Sequence, residues 1–175
     1  MRLVHPGDTF PRLTLNIPGA QAIQVPGWLA GEFGVVLFNR GAQGPYCTAQ
    51  LRAFQRAGDS LAAAGIGVAT LWVDDEQTTA EFTAKHGLTF PLGHSADARA
   101  VAALTGAFVH DNSLYLQSTG FVLDPQGTGR SVGLSGGPTT SCRSSNSLRL
   151  FSLDTMVEVC RWLSRVAASL STAIW

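Results

Sequence analysis

An apolar strand that leads into a glycine-rich loop and then a helix constrains this chain most. Residues 35–38 are apolar and include two β-branched valines, which predicts a buried strand over 35–39. Residues 40–45 contain two glycines and a proline, and a helical pattern begins at Tyr46. Cys47 then lies in the first helical turn, where unpaired N–H groups and the helix dipole favour a thiolate. The thiolate is the reactive form of cysteine, so Cys47 is a candidate nucleophile.

The rest of the sequence alternates between strand-like and helix-like segments. In chain order it predicts a strand 35–39, a helix 46–64, a strand 66–73, a helix 76–86 capped by Asp74 and Asp75, an extended piece 90–92, a helix from about 97 to 105, strands 120–123 and 130–134, and a last helix from 153 to about 170. Asp124-Pro125-Gln126-Gly127 has the composition of a turn, so strands 120–123 and 130–134 form a hairpin. This order predicts an α/β sandwich with a central mixed β-sheet flanked by helices.

Composition excludes several kinds of partner. The length of 175 residues fits one ordinary domain, so we predict a single domain over 1–175. The 12 basic and 12 acidic residues cancel, and no charge run suggests nucleic acid or an acidic membrane as a partner. The apolar stretches are shorter than the about 18 residues of a membrane span, and the first residues do not resemble a signal peptide. Three cysteines do not suggest a disulfide framework, so the expected location is a reducing, cytoplasmic one.

One stretch differs from the rest in composition. Residues 133–147 are nearly all Gly, Ser, Thr, Pro and Asn, and they include Cys142. Because such a segment buries little apolar surface, we predict a flexible loop there. Cys160, in contrast, shares an apolar helix face with its neighbours, which is typical of a packed core residue.

Four motifs, in order along the chain, indicate a family. They are Gly7-Asp8-x-Phe10-Pro11-x-Leu13, Arg40-Gly41-Ala42-Gln43-Gly44-Pro45-Tyr46-Cys47-Thr48-Ala49-Gln50-Leu51, Lys85-His86-Gly87-Leu88-x-Phe90-Pro91-Leu92 and Phe121-Val122-Leu123-Asp124-Pro125-Gln126-Gly127. The chain resembles the peroxiredoxins, the alkyl hydroperoxide reductase and thiol-specific antioxidant group of the thioredoxin-like superfamily. The branch it matches best has the signature Arg-Gly-x-Trp-Cys-Pro-Tyr-Cys-x-x-x-Leu. The resemblance implies a thioredoxin-like sandwich.

The resemblance also implies a reaction. Cys47 would be the peroxidatic cysteine, whose thiolate attacks hydrogen peroxide or a small organic hydroperoxide and becomes a sulfenic acid. Backbone N–H groups of Tyr46 and Cys47 would hold the peroxide oxygens. A second thiol would convert the sulfenic acid to a disulfide, which a thioredoxin-type thiol reductant would reduce. Neither a metal nor an organic cofactor is implied, and a homodimer is the assembly common in the family.

Three positions depart from the family pattern. Gly44 stands where members carry Thr, Ser or, in this branch, Cys, and Gln43 replaces the Trp of the branch. The segment 116–120 lacks the arginine that usually precedes the penultimate strand. Because glycine can neither hydrogen-bond a peroxide nor resolve a sulfenic acid, the enzyme would use one cysteine alone or Cys142 as the resolving thiol.

Other interpretations stay open beside the peroxidase. A thiol–disulfide oxidoreductase would be limited to mixed-disulfide steps by Gly44, and a non-catalytic thioredoxin-like binding module would fit the altered Gln43-Gly44 pair and Ser118. Cys47 could also be a small buried hydrophobe, and Cys142 an incidental exposed thiol. Arg40 either supports the thiolate or solvates its loop. The four histidines are not spaced as metal ligands, so no metal site is expected.

Overall fold

The computed structural model describes residues 4–29, 32–110 and 114–134. The strands are β1 Leu13–Leu15, β2 Ile23–Val25, β3 Phe33–Phe38, β4 Ile66–Leu71, β5 Leu92–Gly93, β6 Val109–His110, β7 Tyr115–Leu116, β8 Thr119–Leu123 and β9 Gly129–Leu134. The helices are α1 Pro45–Arg56, α2 Gly58–Ala63, α3 Glu76–His86 and α4 Ala98–Thr105, and a 3₁₀ turn covers Gly27–Leu29.

The central element is a five-stranded sheet with the strand order β5-β4-β3-β8-β9. Strands β3, β4 and β5 run parallel, whereas β8 is antiparallel to both β3 and β9. The predicted mixed sheet is therefore confirmed, as is the hairpin formed by the last two strands. Two small hairpins, β1-β2 and β6-β7, lie apart from this sheet and were not expected from the sequence.

Strand β3 is buried on both faces because its successive side chains point to opposite sides. Val36 and Phe38 pack with the β1-β2 hairpin and α4 in one apolar cluster. Val35 and Leu37 pack with α1, α2 and α3 in the other. The apolar run that predicts a buried strand here thus contributes side chains to both apolar clusters.

The helix boundaries agree with local sequence signals in one case and differ in another. Helix α3 has the predicted bounds, since Asp75 caps its first turn by accepting from the Thr78 N–H and Gly87 ends it with φ of 59°. The predicted helix 46–64 is wrong as a single element. It divides at Ala57, whose N–H donates to both Ala53 O and Phe54 O, and α2 begins at Gly58, a residue that weakens helices.

Two glycines on neighbouring strands make room for one leucine. Gly34 on β3 and Gly67 on β4 are directly paired. A Cβ atom on Gly34 would lie 2.2 Å from Leu29 Cδ1, and one on Gly67 would lie 2.8 Å from Leu29 Cδ2. The Leu29 side chain therefore occupies the space that two side chains would fill, which fastens the 3₁₀ turn to the sheet.

Some predictions concern residues that are not described. The predicted helix 153–170, Cys142, Cys160 and residues 135–147 of the predicted loop lie outside the described part, while Gly133 and Leu134 belong to β9. The single domain over 1–175 stays a prediction. Among the described helices, none has the length and apolar character needed to cross a bilayer.

Candidate active site around Cys47

The site forms where β3 ends and α1 begins. The chain leaves β3 at Phe38, turns through residues 39–44 and enters α1 at Pro45. Gly44 is the N-cap residue, with φ of −82° and ψ of 107°, and it has no side chain with which to cap the helix. Pro45 suits the first helical position because its missing N–H would have no intrahelical partner there. Cys47 accordingly lies in the first turn of α1, as the sequence predicts.

The thiol of Cys47 is buried and has two polar neighbours. Only 2% of the residue is exposed. The backbone N–H of Arg40 points at Sγ over 3.4 Å, and the Ser118 hydroxyl oxygen lies 3.3 Å from the same sulfur. A backbone donor from the end of β3 and a hydroxyl from a distant segment therefore meet at the thiol.

Ser118 reaches the sulfur because of strand pairing. Thr119, the first residue of β8, pairs with Phe38, the last residue of β3. Ser118 consequently stands opposite the beginning of the loop that leads to Cys47. The segment 116–120, which contains no arginine, brings a hydroxyl group to the thiol. Sequence reasoning singled out Ser118 only as a substituted position and missed this contact.

Asp74 holds the loop in front of Cys47. Its carboxylate oxygen Oδ2 accepts the Ala42 N–H at 2.7 Å. Gly41 has φ of 126°, and a Cβ atom there would lie 2.8 Å from both carboxylate oxygens, so only glycine fits. The predicted capping role is confirmed for Asp75 and wrong for Asp74. The carboxyl ends of the parallel strands β3 and β4 meet at one sheet edge, so their predicted pairing could have indicated that Asp74 lies near the loop after β3.

The Arg40 guanidinium contacts an aromatic side chain. Its Nη2 donates to the Tyr115 hydroxyl at 2.5 Å, and its central carbon lies 4.5 Å from the centre of the Tyr115 ring. Tyr115 in turn stacks on His110, with ring centres 4.8 Å apart. Arg40 thus contributes its backbone N–H to the thiol while its side chain extends to the β6-β7 hairpin.

A buried polar group lies next to Arg40. The side chain of Asn39 is fully buried, and its Nδ2 donates to Thr70 Oγ1 at 2.6 Å. Thr70 Oγ1 donates to the Leu37 carbonyl at 3.1 Å. These bonds join β3 to β4 immediately before the residue whose N–H faces Sγ.

The outer side of the site is formed by residues 43–46. Tyr46 is 67% exposed, so it does not pack on the sheet. A Cβ atom on Gly44 would lie 3.1 Å from Cys47 Sγ, so any side chain at position 44 would contact the sulfur. No set of three or more His, Cys, Asp or Glu side chains in the described residues could hold a metal ion.

This arrangement defines an α/β protein with a buried, hydrogen-bonded cysteine at a helix N-terminus. The family model of the AhpC/TSA family matches residues 6–131. The chain therefore belongs to the AhpC/TSA family, the peroxiredoxin group of the thioredoxin-like superfamily. A search of curated proteins found no match.

Solved structures agree on the fold. Peroxidoxin BcpB from Mycobacterium tuberculosis superposes with a TM-score of 0.73 at 20% identity, covering 93% of this chain and 97% of that one. AhpC from Mycobacterium tuberculosis gives 0.71 at 19% identity and 96% coverage of both chains. PrxQ from Xylella fastidiosa gives 0.75 at 17% identity, covering 95% of this chain and 99% of that one. The predicted thioredoxin-like fold is confirmed, and family membership supports a thiol peroxidase function in general.

Proposed function

We propose that this protein is a thiol-dependent peroxidase in which Cys47 is the peroxidatic cysteine. One observation carries the proposal. In a member of the AhpC/TSA family, the sulfur of a buried cysteine in the first turn of α1 lies within hydrogen-bond distance of the Arg40 N–H and the Ser118 hydroxyl. A cysteine that only fills space in a core needs no polar partners at its sulfur.

The chemistry proceeds by displacement at oxygen. The Cys47 thiolate attacks the terminal oxygen of a hydroperoxide, an S–O bond forms, and the O–O bond breaks. An organic hydroperoxide releases an alkoxide, which takes a proton to become an alcohol. Hydrogen peroxide releases hydroxide, which takes a proton to become water. The cysteine loses two electrons and becomes a sulfenic acid. N–H groups of the first turn of α1 have no intrahelical acceptor and supply donors for the peroxide oxygens.

The burial of Cys47 favours small substrates. With 2% of the residue exposed, a bulky organic group cannot bring its peroxide oxygen to the sulfur without displacing the loop at residues 41–44. That loop is fastened by the bond from Ala42 to Asp74. We therefore propose hydrogen peroxide and small alkyl hydroperoxides as substrates, and slower reaction with a bulky hydroperoxide such as cumene hydroperoxide.

Reduction of the Cys47 sulfenic acid back to the thiol requires a second thiol. A thiol condenses with the sulfenic acid to give a disulfide and water, and a second thiol reduces that disulfide. Gly44 provides no thiol near the sulfur, so we propose Cys142 or an external thiol for the first step and a thioredoxin-type reductant for the second. The proposed setting is a reducing cytoplasm, and the proposed assembly, a homodimer, rests on family membership alone.

The test measures the oxidation of one defined thiol. The variant Cys142→Ser/Cys160→Ser leaves Cys47 as the single cysteine. It is mixed with hydrogen peroxide, the sulfenic acid is trapped with dimedone, and mass spectrometry locates the adduct over time. We expect labelling at residue 47 at a rate orders of magnitude above that of free cysteine in the same buffer. Cys47→Ser in the same background is the control, and a rate equal to that of free cysteine would contradict the proposal.

A further inference from the structure

We propose that Ser118 is a catalytic residue whose hydroxyl donates a hydrogen bond to the Cys47 thiolate and keeps the sulfur oriented for attack. This inference rests on the proposed peroxidase function and assigns a role to a residue outside the Cys47 motif. The two side chains are 71 positions apart in sequence, and Ser118 Oγ lies 3.3 Å from Cys47 Sγ.

The contact between Ser118 and Cys47 is buried, so water does not replace it. Ser118 is 6% exposed and Cys47 is 2% exposed, so the two groups meet away from water. A buried hydroxyl without a partner costs free energy, and most buried polar side chains are hydrogen-bonded. For Ser118 the structure provides Sγ as that partner.

The direction of the hydrogen bond depends on the charge of the sulfur. In the neutral pair either atom could be the donor. Once Cys47 loses its proton, the sulfur can only accept, so Ser118 Oγ–H must donate. The Arg40 N–H already points at Sγ, and the anion therefore receives two donors. Hydrogen bonds to charged groups are stronger than neutral ones, so both contacts strengthen when the sulfur is an anion.

The two donors are held by adjacent strands. Arg40 follows β3 by two residues, and Ser118 immediately precedes β8. The terminal residues of these strands, Phe38 and Thr119, are paired in antiparallel register. The donors are thus fixed relative to each other by the sheet, and the sulfur between them is oriented before peroxide arrives. Such preorganised donors do not have to rearrange as the reaction proceeds.

Ser118 is not consumed in the reaction. It donates a hydrogen bond but no proton to Sγ, and the proton for the departing alkoxide comes from solvent. When the S–O bond forms, the sulfur loses its negative charge and the contact weakens. The role of Ser118 is therefore to stabilise the attacking anion and to hold its position.

The experiment compares Ser118→Ala and Ser118→Thr with the parent protein in the Cys142→Ser/Cys160→Ser background. Two rates are measured for residue 47 across pH: alkylation by iodoacetamide, which needs only the thiolate, and sulfenic acid formation with hydrogen peroxide. Because the sulfur still carries part of its charge in the transition state, part of the hydrogen bond acts there, and we expect Ser118→Ala to lower both rates severalfold near neutral pH. Ser118→Thr, which keeps the hydroxyl, restores both rates in large part. Ser60→Ala, on an exposed helix position, is the matched control and leaves both rates unchanged.

Circular dichroism and the unfolding midpoint verify that the variants are folded. If Ser118→Ala is not, Ser118→Val takes its place, because it has the shape of Ser118→Thr but lacks the hydroxyl. Parent-like rates in Ser118→Ala would overturn the role of Ser118. If the parent itself reacts with peroxide no faster than free cysteine, the peroxidase proposal fails. The alkylation profiles would then still show whether Ser118 stabilises the thiolate, so the two failures are distinguishable.

Discussion

Gly44 lies so close to Cys47 that a Cβ atom on the glycine would be 3.1 Å from Sγ and 3.4 Å from the cysteine Cβ. The backbone of Gly44 is in an ordinary extended conformation, with φ of −82°, so other residues can adopt it. The position is therefore restricted by the neighbouring sulfur and by the Gly41 carbonyl oxygen, 3.3 Å from the same Cβ atom, and not by backbone strain. A side chain introduced at Gly44 would be in direct contact with the reactive atom.

The first prediction is that Gly44→Cys produces a two-thiol site. When Cys47 is oxidised to the sulfenic acid, the introduced thiol condenses with it, forming a disulfide and releasing water. We expect one equivalent of hydrogen peroxide to remove two free thiols and to lower the mass of the protein by two hydrogens. Thiol titration and intact mass spectrometry in the Cys142→Ser/Cys160→Ser background measure this.

Gly44→Ala is the control for crowding alone. Its methyl group forces the sulfur to shift by a few tenths of an ångström from the Arg40 N–H and Ser118 Oγ. We expect sulfenic acid formation to slow by roughly tenfold, because small misplacements of a reacting group are costly. Retention of two free thiols in Gly44→Cys after peroxide treatment would show that the contact at position 44 is not productive.

The second prediction concerns the pH dependence contributed by Asp75. The backbone N–H of Thr78, followed by its side chain, donates to this carboxylate, which lowers its pKa from the ordinary value of 3.8. A carboxyl whose pKa is lower in the folded state stabilises the fold above its unfolded pKa, and that contribution is lost as pH falls through the folded pKa. Asp75→Asn keeps an acceptor for the helix N-terminus but removes the charge. We expect it to unfold at a lower temperature than the parent at neutral pH, with the difference disappearing in acid.

Asp75→Ala separates the charge from the cap. It removes the acceptor altogether, so its deficit relative to Asp75→Asn should remain when the pH is lowered. Thermal unfolding followed by circular dichroism from pH 7 down to the acid limit of stability measures all three proteins. A gap between the parent and Asp75→Asn that stays constant over this range would contradict the assigned charge contribution.

Local signals accounted for much of the fold. Helix α3 was predictable because its cap Asp75 and its terminal Gly87 are chemical signals that act within one turn. Strands β3 and β4 were predictable because they are buried on both faces and thus mostly apolar. The β6-β7 hairpin was not, since each of its strands has only two residues, too few to display a periodicity. The division at Ala57 lies next to Gly58, a residue that weakens helices, but the apolar spacing over 46–64 predicted one continuous helix.

The candidate site was predictable only in part. The position of Cys47 at a helix start follows from adjacent residues, and the structure has it there. The Ser118 contact follows from the antiparallel pairing of β3 with β8, a relationship between segments far apart in sequence. For Arg40, sequence reasoning considered only the charged side chain, whereas the backbone N–H faces the sulfur and the guanidinium contacts Tyr115. Backbone donors carry no residue-type signal, so a sequence cannot reveal them.

The third prediction tests the buried bond between Asn39 and Thr70, which joins β3 to β4 beside Arg40. Asn39 Nδ2 donates to Thr70 Oγ1 at 2.6 Å, while Asn39 Oδ1 is buried without a hydrogen-bond partner among the described residues. Thr70→Val removes the acceptor and leaves the Asn39 side-chain amide without a hydrogen-bond partner. We therefore expect a loss of about 1–3 kcal/mol in the free energy of unfolding. Asn39→Leu/Thr70→Val removes both partners, and the double variant should be more stable than Thr70→Val alone, since no buried amide is left unpaired.

Urea denaturation of the parent, of Thr70→Val, of Asn39→Leu and of the double variant measures the coupling energy between the two side chains, which we expect to be about 0.5–3 kcal/mol. Additive losses would mean that the two side chains do not depend on each other and that this bond does not fasten the end of β3.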